Sequence, residues 1–183
     1  RLPGEIGMYM AMTGARLKAA DCVYARICDA YVPNDLHEDL IAALRDGIDI
    51  HTTLKEFSGD PGPSSIAAMR EEIDRCFGSE SVEMIEQRLA AEGSEWAQKQ
   101  LSIMAAKSPT SQKITFRQLR KGATLEFDAC MVMEYRMAQR VMEGGDFFEG
   151  VRAVVIDKDM APKWKPAPRR KYFARRSTTR RTT

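Results

Sequence analysis

The chain has 183 residues, 44% of them hydrophobic and 30% charged, with a net charge of +2. That mix belongs to a globular domain with a core of ordinary size and excludes low-complexity and collagen-like classes. No apolar run approaches the length of a membrane span, so a helical membrane protein is not expected.

The opening stretch RLPGEIGMYMAMTG has no initiator Met and reads as a sequence joined in its middle. Residues 5–13 carry Ile6, Met10 and Thr13 at helical spacing, and Gly14 can stop that helix. Apolar side chains lie on nearly all its sides, so it calls for burial all round, and a covering element from outside the sequence is expected. ARLKAADCVYAR reads as a second short helix and ICDAYVP, closed by Pro33, as the best strand candidate. Asn34 or Asp35 then caps LHEDLIAALRDGI, with an apolar stripe at Leu36, Leu40, Ala43 and Leu44.

FSGDPGPSS is the clearest internal loop. A helix is expected from Ser65 to about Phe77, with Ile66, Met69, Ile73 and Cys76 inward. Ser79 or Ser81 caps the next, with Val82, Ile85 and Leu89 inward and Gly93 as its stop. Ser94 caps a third, facing Ala97, Leu101, Met104 and Ala105 inward. SPTSQKIT places Ser at a cap and Pro at the first helical position, and this helix runs to about Gly122. A long helix follows from Leu125 to Met142, on a stripe of Cys130, Met133, Met137 and Val141, broken by Gly144-Gly145. Asp146 caps FFEGVRAVVID, and Pro162, Pro166 and Pro168 end regular structure.

Charge divides the chain. Residues 163–183 hold nine Lys/Arg and no acid, while the preceding 162 residues carry 19 basic and 26 acidic side chains, a net of −7. An acidic body, 1–167, is followed by a basic, disordered tail, 168–183. The tail could neutralise phosphates, which makes a non-enzymatic RNA- or ribosome-binding protein the alternative function.

Self-contained chemistry is scarce. The two histidines, His37 and His51, lie in polar stretches and read as surface residues. The four cysteines are scattered, with none in a C-x-x-C pair, and read as buried small hydrophobes in a reducing compartment. NDLHED reads as an acidic helix start rather than a metal site, and no phosphate-binding glycine loop occurs. No metal or cofactor is called for. Glu134 in MEYRMAQR reads as a structural partner for an Arg on a neighbouring helix.

Several stretches together carry a resemblance. MYMAMTGARLKAADCVYARICDAYVP resembles the segment after the active site in the crotonase (enoyl-CoA hydratase/isomerase) superfamily. CFGSESVEMIEQRLAAEGSEWAQKQLSIMAAKSPTSQKITFRQLRKGA and MEYRMAQRVMEGGDFFEGVRAVVIDKDMAPKWKPA resemble its 3-hydroxyisobutyryl-CoA hydrolase branch, over roughly residues 1–167. The resemblance implies a mainly α fold, the C-terminal helical part of a crotonase-like α/β fold, with at most one or two short strands. It implies an acyl-CoA thioester hydrolase of valine catabolism, converting 3-hydroxyisobutyryl-CoA to 3-hydroxyisobutyrate and CoA. The acyl-CoA is then the substrate partner, self-association into a homo-oligomer is expected, and the location is bacterial cytoplasm or the mitochondrial matrix.

The family's oxyanion hole and carboxylates match no residue here, because they lie before the point matching Arg1. The resemblance therefore implies no catalytic residue in this chain and no activity of the chain alone. A lysine near the family's C-terminus approaches the coenzyme A adenine or phosphates, and Lys158 in VVIDKD holds the matching position. A solvated lysine after a helix is the alternative for it. Two departures stand out. Arg26 occupies the place of the family's usual left-handed Gly, which implies rearrangement or strain. After KWKPA the tail lacks the family's acidic helical stretch, and reads as an appended or frame-shifted segment.

Overall fold

The computed structural model describes residues 2–166, so the tail expected over 168–183 lies outside the described residues. The described residues form helices and loops with no strand, as expected of a mainly α chain. They divide into two compact units, the boundary falling between Ser79 and Glu80.

The first unit begins with α1 (Ile6–Thr13), which ends at Gly14 in a left-handed conformation, φ 72°. Ile6, Met8 and Met12 are buried, and α6 packs against this helix, with Tyr9 meeting Phe77 edge-on at 5.3 Å. The expected need for burial is met on much of the helix surface by the chain itself. Asp74 fixes its start: one carboxylate oxygen accepts the amide of Glu5 at 2.8 Å and the other the guanidinium of Arg70 at 2.6 Å. Gly4 lies against this pair at φ 50°, where an added Cβ would come within 2.4 Å of Asp74, so any other residue would strain the backbone and push the pair aside.

α2 (Ala19–Tyr24) starts four residues later than its apolar pattern suggested. Asp21 explains the start. Its carboxylate reaches back to the amide of Lys18 at 3.1 Å and across to the amide of Ile66 at 3.1 Å and the hydroxyls of Ser64 and Ser65. This one side chain, 2% exposed, joins α2 to α5 (Ser65–Ala68). Burial alone would raise its pKa, but these donors more than offset that and hold it down at about 2.

α2 closes in a Schellman turn. The amide of Ile27 donates to the carbonyl of Cys22 at 2.9 Å, and that of Arg26 to Val23 at 3.0 Å. Arg26 takes the left-handed position at φ 58°. The backbone there is kept as a glycine would set it, and a bulky side chain bears the strain. The same turn removes the expected strand at 27–33: the Ile27 and Cys28 amides are already used, and the segment's described cross-link is Gly59 N–H to Tyr31 O.

A 3-10 turn (Asn34–Leu36) leads into α3 (His37–Arg45), and neither the Asn34 nor the Asp35 side chain caps it. Its expected stripe is only half-covered: Leu36, Leu40 and Ala43 are half-buried and Leu44 is exposed. α4 (Ile50–Phe57), capped by Asp49 on the Thr52 amide, was not anticipated from the polar sequence around His51. After the 58–64 loop, the expected single helix breaks at Met69 into α5 and α6 (Arg70–Phe77), with Ile66, Ile73, Cys76 and Phe77 buried.

In the second unit, α7 (Val82–Glu92), α8 (Glu95–Ala105) and α9 (Pro109–Gly122) begin at Ser81, Ser94 and Ser108, each accepting the amide three residues on. Caps of this kind are each worth about 1 kcal/mol. Ile85, Leu89, Ala97 and Met104 are fully buried, with Ile114 and Phe116 close to it. α10 (Phe127–Met142) faces Met137 inward, but Phe127, Met131 and Tyr135 lie exposed along one side of it. α11 (Gly145–Val151) continues into a π-helical turn, Arg152–Ile156.

Two outcomes test this account. Protonating Asp21 dismantles its links, since its pKa is about 2 folded and near 3.9 unfolded. Its contribution, about 2.5 kcal/mol, is full above pH 4 and is lost as pH falls toward 2; acid denaturation of Asp21→Asn should lack that component. Arg26→Gly should raise stability by about 0.5–1 kcal/mol in urea melts, the relieved strain exceeding the added unfolded-state entropy. Arg26→Ala keeps the strain and should leave stability unchanged.

Candidate functional site

Three of the motifs that carried the sequence resemblance, DFFEGVRA, IDKD and PKWKP, meet at the end of the second unit. Glu149 on α11 and Arg152 in the π-helical turn stand three residues apart, on one helix face. The Arg152 Nε donates to Glu149 Oε2 at 2.9 Å and Nη2 to Glu149 Oε1 at 2.8 Å, a bidentate pair. Nη1 donates to both Asp157 at 2.6 Å and Asp159 at 2.7 Å, and Nη2 also reaches the carbonyl of Ala161 at 3.3 Å. A guanidinium has five N–H groups, and all five are used. Arg152 is a fastener with no donor left for a ligand.

The loop it holds is bent. Lys158 and Met160 both take left-handed conformations, φ 55° and 54°. Backbone bonds from Asp157 to Arg152 at 2.8 Å and from Met160 to Ala153 at 3.0 Å close the loop on the π-helical turn. Lys158 sits at its apex, exposed, between two carboxylates that Arg152 already engages. Among the described residues its ammonium makes no ion pair or hydrogen bond, so one positive charge is offered to solvent on a fixed backbone.

The chain beyond the loop is strapped down. Glu149 also accepts the amide of Lys163 at 2.7 Å. The indole N–H of Trp164 donates to the carbonyl of Ala106 at 3.0 Å, and its ring lies against Gly150, where an added Cβ would approach to 3.2 Å. Asp146, expected to cap α11, instead accepts the hydroxyl of Ser108 and the amide of Lys165, while Gly144 occupies the cap position. The reason is geometric: Asp146 lies within the first turn, facing the start of α9. The hydrogen bonds from the Arg152 guanidinium and then from the Lys163 amide pull the carboxyl of Glu149 down to about 2.

Other candidates resolve as structural. Glu134 accepts the amide of Gln118 on α9 at 3.1 Å, rather than an Arg. His37 is exposed with its Nε2 3.1 Å from the carbonyl of Val32, and His51 is exposed. The serines beside carboxylates, Ser64, Ser65 and Ser108, have no histidine bond among the described residues, and for Ser64 and Ser65 the Asp21 carboxylate, held at about 2, is too weak a base to activate a hydroxyl. No cluster of metal-ligating side chains occurs among the described residues, and no helix there is long and apolar enough to cross a membrane. Of the cysteines, Cys76 is buried, Cys22 and Cys130 are half-buried and Cys28 is exposed, so burial does not describe them all. The Arg152 fastener went unread in the sequence; the Glu149-x-x-Arg152 spacing followed by Asp-x-Asp was its available signal.

Comparison with known proteins gives these motifs a context. The family model for enoyl-CoA hydratase/isomerase matches residues 1–174. The mitochondrial 3-hydroxyisobutyryl-CoA hydrolases of Xenopus laevis and Homo sapiens are each 41% identical over 177 residues, covering 91% of this chain and 46% of theirs. The crystal structure of a carnitinyl-CoA dehydratase from Mycobacterium thermoresistibile matches with a TM-score of 0.82 at 30% identity, over 92% of this chain and 48% of that one. An enoyl-CoA hydratase from Rhodobacter sphaeroides matches at 0.80 and 32%, over 91% and 48%. The chain spans about half the length of the relatives it matches.

Replacing Arg152 with Gln should release the loop and the strap together. Amide exchange at Ala161 and Lys163 should then rise sharply while α7–α9 stay protected. Because the Glu149 pKa lies at about 2 against an ordinary value near 4.3, protection of the Lys163 amide should survive acidification to about pH 3 and fail below it.

Proposed function

This chain belongs to the enoyl-CoA hydratase/isomerase family, and from that premise we propose that it is the C-terminal helical part of an acyl-CoA thioester hydrolase acting on 3-hydroxyisobutyryl-CoA. The observation that carries this reading is the identity shared with the hydrolases across nearly the whole chain. In this reading the products are 3-hydroxyisobutyrate and coenzyme A. Of the two compartments considered, the mitochondrial matrix is favoured by the mitochondrial names of those relatives.

The division of labour follows from the residues. Thioester hydrolysis needs donors aimed at the carbonyl oxygen as it gains charge, and an acid–base group to handle water. In this reading those groups belong to the part of the relatives' length that this chain does not span, and residues 1–183 supply binding and support. Lys158 is assigned to the coenzyme A phosphates or adenine. What supports the assignment is its exposed, unpartnered ammonium on a backbone that Arg152 holds in place. Asp157 and Asp159 lie on either side of it, and their engagement by Arg152 lowers the repulsion an approaching phosphate would meet. Their remaining charge keeps the expected contribution of Lys158 small.

A chimaera tests the proposal: the corresponding segment of a mitochondrial 3-hydroxyisobutyryl-CoA hydrolase is replaced by residues 1–166 of this chain. It should hydrolyse 3-hydroxyisobutyryl-CoA, whereas the chain alone should not. Lys158→Ala in the chimaera should raise KM about three- to tenfold with kcat unchanged, the loss of one exposed charge-assisted contact. A folded chimaera without turnover would overturn the hydrolase reading, and turnover by the chain alone would overturn the division of labour. Self-association, expected from the same family likeness, is read by light scattering of the same samples.

A further inference from the structure

The Schellman turn that ends α2 does more than close a helix. It folds the chain back so that the carbonyl of Cys22 accepts the amide of Cys28, at 3.3 Å, as well as that of Ile27. The turn thereby brings the backbones of the two cysteines side by side, six residues apart in the chain. Both are free; Cys28 is exposed and Cys22 is half-buried behind it. Burial first, then the neighbouring Cys28 sulfur and the Asp21 carboxylate, push the Cys22 thiol above its ordinary value. Cys22 therefore waits as a thiol while Cys28 meets solvent. The remaining cysteines are placed otherwise: Cys76 is buried, and the Cys130 thiol is directed at the carbonyl of Gly122, 3.6 Å away.

Two free cysteines brought together by one turn, one exposed and one half-buried, have the arrangement of an attacking and a resolving cysteine. We propose that Cys22 and Cys28 form a thiol–disulfide exchange site, which accepts a small-molecule disulfide at Cys28 and closes to an intramolecular Cys22–Cys28 disulfide. In the first step the Cys28 thiolate attacks one sulfur of the small disulfide. A Cys28–S–S–R bond forms, the R–S–S–R bond breaks, and the departing thiolate takes a proton from water. In the second step Cys22 gives its proton to solvent and attacks the Cys28 sulfur. The protein disulfide forms and the second small thiolate leaves, to be protonated in turn. Two protein thiols are oxidised and one small disulfide is reduced to two thiols. The site owes its geometry to Arg26, whose left-handed backbone makes the turn, and to Asp21, whose hydrogen bonds fix the helix that carries Cys22.

The test treats the full chain with oxidised glutathione, quenches with acid, alkylates the remaining thiols and digests with trypsin. Cleavage after Lys18 and Arg26 places Cys22 and Cys28 on different peptides, so the disulfide appears as a linked peptide pair. That pair should become the main oxidised product, while Cys76 and Cys130 stay open to alkylation after unfolding. Cys22→Ser should trap glutathione on Cys28, and Cys28→Ser should slow glutathione uptake at Cys22 at least about tenfold. In guanidinium chloride the closing step should slow about tenfold, because the turn no longer holds the thiols together. Far-UV circular dichroism confirms that each variant keeps its helices, and the guanidinium comparison needs no variant. A glutathione adduct that persists on Cys28 in the unaltered chain would overturn the proposal. So would linkage to Cys76 or Cys130, or closure equally fast in denaturant.

Discussion

Two charged side chains set the local structure of this chain, and each works by using every bonding position it has. Asp21 gathers two amides and two hydroxyls onto one buried carboxylate. Arg152 spends five N–H groups on three carboxylates and a carbonyl. A buried or half-buried charge is costly when any of its sites is left open and an effective fastener when none is. The elements these groups join are short: α2 has six residues and α11 seven. Helices of that length do not persist by propensity alone and depend on tertiary links of this kind.

The two fasteners hold different things. Around Asp21 they fix a helix start, and the strain of the following turn at Arg26 is tolerated because the flanking bonds determine it. Around Arg152 they fix a loop with two left-handed non-glycine residues, one of them Lys158, which has no partner among the described residues. Strain there is held in place by complete hydrogen bonding of the guanidinium. Arg152 is the support and Lys158 the exposed charge.

Much apolar surface stays exposed. Phe127, Met131 and Tyr135 line one side of α10, and Val155 and Ile156 project from the π-helical turn, where Ile156 is 69% exposed. Relatives about twice as long, and a family fold that continues beyond this segment, fit a chain whose apolar faces exceed what its own helices cover.

The sequence by itself determined the helical class, the serine-capped starts at Ser94 and Ser108, a serine cap at Ser79 or Ser81 that the structure places at Ser81, the stops at Gly14 and Gly93, and the family. These rest on local chemistry: a hydroxyl accepting an amide three residues on, a glycine accepting a left-handed turn, and motifs kept in order. It failed where a local signal had a distant competitor. Asp146 looked like a cap and is taken by Ser108 and Lys165; ICDAYVP looked like a strand, and its first amides are spent on a helix end. Only the tertiary structure decided that, among the described residues, Lys158 stands unpartnered while Arg152 does not, because both are basic residues in one acidic stretch. Only it placed Cys28 beside Cys22, since the approach of two residues six apart depends on the backbone turn between them, and Arg26 gives no hint in its side chain that it will make one.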